Sequence, residues 1–418
     1  MEKRKINNID CYFHYDNRFK TICLKLHFLS PYINKDNAAK TLLLRLLFKT
    51  NKKYPREDIL NYKLEELYES SLYNSRSLIG CMEHTTMELY FLNPEYFNDD
   101  NYLDECLKIF EECIFNPNFT EELLEIEKKA VIKAIDDIYN NKSRYAVMRF
   151  YEIMFADEEL GIKLYGNKDE IMKVTLEDVK RCYDELLKIP CLLIVAGNMD
   201  IPKISLCLEK SKITKLNQYI YSKKFKFVNN KNIENIKIKE KIEKQYINQS
   251  ILCVGYRTNI YLDDELMGGL ILLSGLMGGY FHSTLVQLIR EQMGMAYSIS
   301  TDYSLRNGFL HVYAGISIEN YEKVKSSIMN VVSDYQKGFI DEDTFNLTKA
   351  SMINELLRDA DNLNSFNANN IFSSRPYRSI EDNVNLIKNV TKDEVVQAAL
   401  TLKLDTIYLL GGVKNENI

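Results

Sequence analysis

Between Gly278 and Ser300 the chain reads GGYFHSTLVQLIREQMGMAYSIS and carries two donors suited to peptide carbonyl oxygens or a carboxylate, the Arg290 guanidinium and the Tyr297 phenol. Their spacing puts them on either side of a bend. Gly278 and Gly279 should end an apolar helix that starts near Leu266, since paired glycines accept positive φ and let another backbone come close. Ser283 is placed to N-cap the next helix. That helix should hold Leu285, Leu288 and Ile289 on one side and Gln287, Arg290 and Glu291 on the other. Gly294 stops it, and Tyr297-Ser-Ile-Ser reads as a strand. Spacing alone also allows, and indeed favours, a plainer reading: a helix-terminal Arg and a half-buried strand Tyr. Nearby, Tyr280, Phe281 and Tyr303 could line a peptide groove or pack as ordinary core. His282 could face the same space, although a His beside such a turn more often bonds locally.

Composition narrows the classes of function. A chain of 418 residues exceeds one comfortable core, and two domains of about 200 residues are expected. The 54 basic and 59 acidic residues are interspersed for a net charge of −5, so no basic face is available for nucleic acid. The opening MEKRKINNIDCYFHY has no apolar core of the export type, and the longest uncharged apolar run, Leu266 to Ile289, is broken by glycines. These features point to a cytoplasmic chain without a membrane span. Nine scattered cysteines, never in a C-x-x-C pair, suit reduced thiols packed as small hydrophobes.

The elements that must position Arg290 and Tyr297 occur twice. Alternating residues from Ile6 to Ser30 predict two strands, and AAKTLLLRLLF within Asn37 to Phe48 predicts a buried helix. Amphipathic and long helices follow over Tyr102 to Ile114 and Glu121 to Asn140, ahead of the buried strand that starts at Cys191. Periodicity fails between Pro202 and Lys244. The chain therefore divides into an N-terminal domain over 1–205, a linker over 206–245 and a C-terminal domain over 246–418. Val390-Thr-Lys-Asp-Glu-Val before Ile407-Tyr-Leu-Leu-Gly-Gly repeats Val174-Thr-Leu-Glu-Asp-Val before the Cys191 strand, at an offset of about 216 residues. The expected fold class is α+β: two duplicated domains, each a mixed β-sheet packed with helices.

The order G-G…S-x-L…L-I-R-E-x-x-G-x-A-Y-S resembles the second-half signature of the inverzincin peptidases, the group of pitrilysin, insulinase and the mitochondrial processing peptidase. The resemblance implies that the two domains form half of a clamshell chamber, and that Arg290 and Tyr297, together with the Gly278-Gly279 turn that precedes them, contact substrate backbone. It also implies a zinc motif H-x-x-E-H on the first buried helix. Here the stretch that follows the motif is kept as Leu47-Phe-Lys-Thr-Asn-Lys-Lys-Tyr-Pro55, but Thr41 and Arg45 stand at the two His positions and Leu44 at the general base. Ala134 stands where the third ligand, a Glu, would be. Zinc needs N, S or O donors, so no zinc is expected in this chain. The chain is similar to the zinc-less subunits that pair with a homologous zinc-bearing chain, and the implied partners are that subunit, as a heterodimer, and a peptide substrate. Tyr54-Pro-Arg, Leu64-Glu-Glu-Leu-Tyr and Leu164-Tyr-Gly further resemble the YfmF-type bacterial proteins, whose family name associates them with 5-aminopentanol modification of elongation factor P. A non-enzymatic, homodimeric peptide-binding or scaffold protein is the alternative.

Overall fold

The computed structural model describes residues 1–97, 99, 101–217, 236–262, 264–363 and 379–412. In chain order the first half forms β1 (Glu2–Ile6), β2 (Ile9–Tyr15), β3 (Thr21–Pro31), α1 (Asn37–Leu47), α2 (Glu57–Glu66), β4 (Ser71–Ile79) and β5 (Met82–Leu92). Then come α3 (Tyr102–Phe115), α4 (Glu121–Asn140), α5 (Lys142–Met154), α6 (Lys168–Lys173), α7 (Leu176–Leu186), β6 (Cys191–Gly197) and α8 (Ile201–Lys210). The second half forms β7 (Lys239–Gln245), β8 (Ser250–Arg257), α9 (Met267–Ser274), β9 (Ala296–Ser304) and β10 (Phe309–Ile316), followed by α10 (Tyr321–Gln336), α11 (Glu342–Asp359), α12 (Ile380–Asn389), α13 (Lys392–Thr401) and β11 (Lys403–Gly412).

Residues 1–136 and 163–217 form one unit around a six-stranded sheet ordered β1-β2-β6-β3-β5-β4. The central β6, CLLIVAG, is buried at every position, as an unbroken apolar run between neighbours requires. Ile22, Leu24, Leu26 and Phe28 of β3 join Leu42, Leu43 and Leu46 of α1 in its core. The charged β1, EKRKI, is an edge strand that alternation does not disclose.

Residues 137–162, 236–362 and 379–412 form a second unit, so α5, expected in the first domain, groups with the second sheet. That sheet is ordered β7-β11-β8-β10-β9. Its pattern repeats β2-β6-β3-β5-β4, down to one parallel pair, β7 with β11, in the place of β2 with β6. Both repeats of the V-T-x-x-[DE] motif are capping boxes: Thr175 with Asp178 opens α7, and Thr391 with Glu394 opens α13. The fold is α+β, two units of one topology, each a mixed sheet packed with helices. Within the stretch read as linker, α8 runs to Lys210 and β7 begins at Lys239; its alternating Lys and Glu are a solvated edge strand whose period hydrophobicity does not show. The rest of that stretch, residues 218–235, lies outside the described residues.

Candidate functional site

α9 ends at Ser274 and passes into a π-helical turn, Gly275–Gly279, and a second π-helical segment, Val286–Gln292, carries Arg290. The expected positive φ is not used at the glycine pair: Gly278 lies at φ −160° and ψ 16°. Gly278 is instead needed for close approach. A Cβ there would stand 3.0 Å from the backbone nitrogen of Thr301 and 3.2 Å from the carbonyl carbon of Ser300, on β9. Gly279 is under no such constraint, its nearest neighbour being the Ser274 carbonyl oxygen at 3.7 Å. Ser283 does not cap the next helix; it staples the turn. Its hydroxyl donates to the Gly275 carbonyl at 2.6 Å and accepts from the Tyr280 N–H at 2.8 Å. A hydroxyl that satisfies both sides of a buried turn is worth more there than at a helix start that the π-helical backbone already orders. His282 stacks on Tyr280 and meets the Thr348 hydroxyl at 3.1 Å, and burial holds its pKa below the ordinary 6.5.

Beyond the turn, Leu285, Val286 and Ile289 are buried, Arg290 and Glu291 face outward, and Gly294, at φ +61°, stops the segment. The Arg290 side chain is 46% exposed, and its nearest ionic partner is the adjacent Glu291, 3.4 Å away and itself exposed. Tyr297 is 69% exposed, not half-buried. It sits at a register shift on β9: Ser298 faces Gly315 and Ala296 faces Ile316, so Tyr297 is the unmatched residue of a β-bulge. Bulges re-aim side chains. β9 is also the end strand of its sheet. Among the described residues Arg290 has only the adjacent Glu291 as an ionic partner, and Tyr297 is exposed at the bulge.

At the other suspected site, α1 keeps its apolar residues inward, while Thr41 donates to the Leu164 carbonyl at 3.2 Å. Arg45 Nε donates to Glu127 Oε2 at 2.8 Å, and Lys49 stands 3.6 Å from the second Glu127 oxygen. The Glu127 side chain is only 6% exposed. Ala134, about two helical turns further along α4, is exposed.

Two family models match these two regions. The insulinase model, peptidase family M16, covers residues 35–168, and the model of the M16 inactive domain covers 173–352, together well over half of the chain. The chain belongs to peptidase family M16. The probable inactive metalloprotease YmfF of Bacillus subtilis is 27% identical over 99% of this chain and 98% of its own length. The non-peptidase homolog YmxG of Helicobacter pylori is 25% identical over 62% of this chain and 59% of its own. A conserved protein from Enterococcus faecalis V583 superposes with a TM-score of 0.90 over 99% of both chains at 23% identity, a likeness of fold.

The M16 zinc does not fit this chain. A hydroxyl, an alkyl chain, a guanidinium that cannot deprotonate and a methyl group cannot make a ligand set. A cation is already covalently in place, because the Arg45 guanidinium ties α1 to the buried Glu127 carboxylate of α4. Among the described residues no three His, Cys, Asp or Glu side chains are grouped to hold a metal. This M16 member carries Thr41, Leu44, Arg45 and Ala134 at the positions of the family's zinc ligands and general base. Sequence spacing also missed one close pair. His27 Nδ1 and His84 Nε2 lie 3.0 Å apart with their rings stacked, brought together from β3 and β5 although 57 residues separate them. Burial first, and then His84 and Lys25, push the pKa of His27 well down. Only a cross-strand register could have shown the pair.

Proposed function

We propose that this chain is the substrate-holding half of a two-chain peptidase: it pairs with a homologous subunit that carries H-x-x-E-H and zinc, and Arg290 and Tyr297 bind carbonyl oxygens of an extended peptide. The observation that carries the reading is the contrast between the two sites. At the positions where the zinc ligands would stand, Arg45 is engaged by Glu127 and Thr41 by the Leu164 carbonyl, whereas Arg290 and Tyr297 are exposed and Arg290 has only the adjacent, exposed Glu291 as an ionic partner among the described residues. A scaffold that only needed the fold would gain nothing from an exposed guanidinium behind a bulged tyrosine. Gly278 and Gly279 shape the turn ahead of these residues, and peptide hydrolysis would fall to the partner. Nine scattered cysteines, none in a C-x-x-C pair, support a reducing, cytoplasmic setting. No helix among the described residues is long and apolar enough to cross a membrane.

Two measurements test this. The native chain, purified from its own cells, should bring down a companion of similar length carrying H-x-x-E-H at near-equal stoichiometry. In the purified pair, Arg290→Ala should leave pairing intact and lower kcat/KM by about 10- to 100-fold, the cost of losing one charged hydrogen bond of ~1.5–3 kcal/mol. Unchanged turnover would remove Arg290 from the site. Recovery of the chain only with itself would favour the homodimeric scaffold.

A further inference from the structure

On the helix-covered face of the first sheet a cavity of about 270 Å³ lies between the strand ends, α1 and α7. The strand register fixes which side chains form its floor. Met87, Leu89 and Phe91 of β5 point into the core, so Thr85 and Glu83 share that face by the two-residue period. Phe28 and Ser30 of β3 stand opposite Thr85 and Glu83, and Arg76 of β4 stands opposite Thr85 from the other side. α1 and α7 close the space from above, and Leu43, Leu186 and Ile189 make its walls apolar.

The floor offers more donors than the protein uses. Arg76 is fully engaged: Nε donates to Glu83 Oε1 at 2.6 Å, Nη1 to the Leu164 carbonyl at 2.8 Å and Nη2 to Asn37 Oδ1 at 2.7 Å. Lys40 Nζ donates to the second Glu83 oxygen at 2.7 Å, its one bond among the described residues, and two of its N–H groups are left over. Lys40, Arg76 and Glu83 together carry one positive charge in excess. Thr85 is only 5% exposed, yet its hydroxyl, like that of Ser30, has no hydrogen-bond partner among the described residues. Such a buried hydroxyl is destabilising until something bonds it. The Cys182 thiol in the wall is not the missing anion, because burial pushes its pKa up to about 11. Glu185 stands at the mouth, 52% exposed and 3.6 Å from Arg181.

We propose that this cavity binds a small monocarboxylate with an apolar body. The carboxylate accepts from Lys40 and from the Thr85 and Ser30 hydroxyls and balances the excess charge of the floor, while the body lies against Leu43, Leu186 and Ile189. The site makes no use of Arg290 or Tyr297 and does not depend on pairing with another chain.

The test uses the full chain with isotope-labelled isoleucine methyl groups, so that the Ile189 signal in the NMR spectrum reports on the cavity. Titration with 3-phenylpropionate should shift that signal and give a Kd at least about tenfold below that of 3-phenylpropionamide, which has the same shape and no charge. Lys40→Met should bring the two ligands to within about twofold of each other, since it keeps the stem and removes the charge. Thr85→Val keeps the volume and should weaken 3-phenylpropionate by about threefold; it carries the test if Lys40→Met does not fold. The peptide Gly-Gly-Gly-Phe, with a free or an amidated C-terminus, separates the two sources of such a ligand: a carboxylate preference here as well assigns peptide ends, and binding of 3-phenylpropionate alone assigns a free organic acid. Equal affinity for acid and amide, a preference that survives both variants, or shifts that spare Ile189 overturn the proposal.

Discussion

Arg45, one of four residues that stand where the metal site's ligands and base would be, ties together the structure around that position. In the first unit two helices meet at a buried carboxylate, Glu127, which would destabilise the fold without a compensating charge. Arg45 supplies that charge from α1 and Lys49 adds a more distant one. Because the Arg45 side chain is 51% exposed, water screens part of the interaction. Arg45→Ala should then cost about 1–2 kcal/mol, below the usual figure for breaking a fully buried pair. Glu127→Gln, which removes the charge that needs a partner, should cost less. Thermal unfolding in matched buffers checks the order; equal shifts, or the reverse order, would mean that Glu127 is not sustained by Arg45. The residue types at positions 41, 44, 45 and 134 made the loss of the family's ligand set legible in the sequence. The role Arg45 took up was not legible, because Glu127 lies 82 residues away and only folded helices bring the two together.

At the scale of elements, the glycine turn was found for its residues but misjudged in its mechanics. Positive φ was the obvious reason for two glycines, yet Gly278 is required because β9 passes underneath it. Gly278→Ala should destabilise the second unit by about 1–3 kcal/mol, the range for forced overpacking against backbone that cannot give way. Gly279→Ala should stay within about 0.5 kcal/mol, as at an unconstrained surface position. Differential scanning calorimetry of the two variants separates close approach from conformational freedom. The placement of α5 was likewise hidden. Its amphipathic pattern announces an apolar face but not which sheet receives it, and Phe150 and Met154 pack with Ile251, Cys253 and Tyr408 of the second. Tyr145 donates to Glu243 on β7 at 2.6 Å, and Tyr408 on β11 donates to the same carboxylate. Burial alone would raise the Glu243 pKa, but hydrogen bonds from Tyr145, Gln245 and Tyr408 and the nearby Arg149 charge bring it below its ordinary 4.5. A carboxyl lowered in the folded state stabilises fully above about pH 4.5 and loses that contribution as the pH falls through the lower folded value. Glu243→Gln should therefore speed amide hydrogen exchange in α5 at pH 7, with a stability loss of about 1 kcal/mol. The difference from wild type should fade as the pH falls through the lowered folded value; a difference that persists once the carboxyl is protonated would assign the effect to packing. The capping boxes of α7 and α13 were legible because every contact they need lies within four residues.

For the whole molecule, the repeated topology sets what each unit can contribute. The first unit keeps the helices of an M16 metal site and has replaced its ligands, while the second keeps exposed donors on a sheet edge. A chain so divided has no use for a metal of its own, and its stability should be indifferent to one. Excess EDTA should leave the melting temperature of the isolated chain unchanged within about 1 °C, since a ligand that does not bind the native state cannot shift unfolding. The same chelator should abolish peptidase activity of the pair, because hydrolysis would be carried by the partner. Metal analysis by mass spectrometry then gives a number that separates the readings: one zinc per pair of chains if the zinc-bearing partner is present, and none in a homodimer. One zinc per copy of this chain when purified alone would contradict the ion-paired site at Arg45 and Glu127 and reopen the question of what its helices hold.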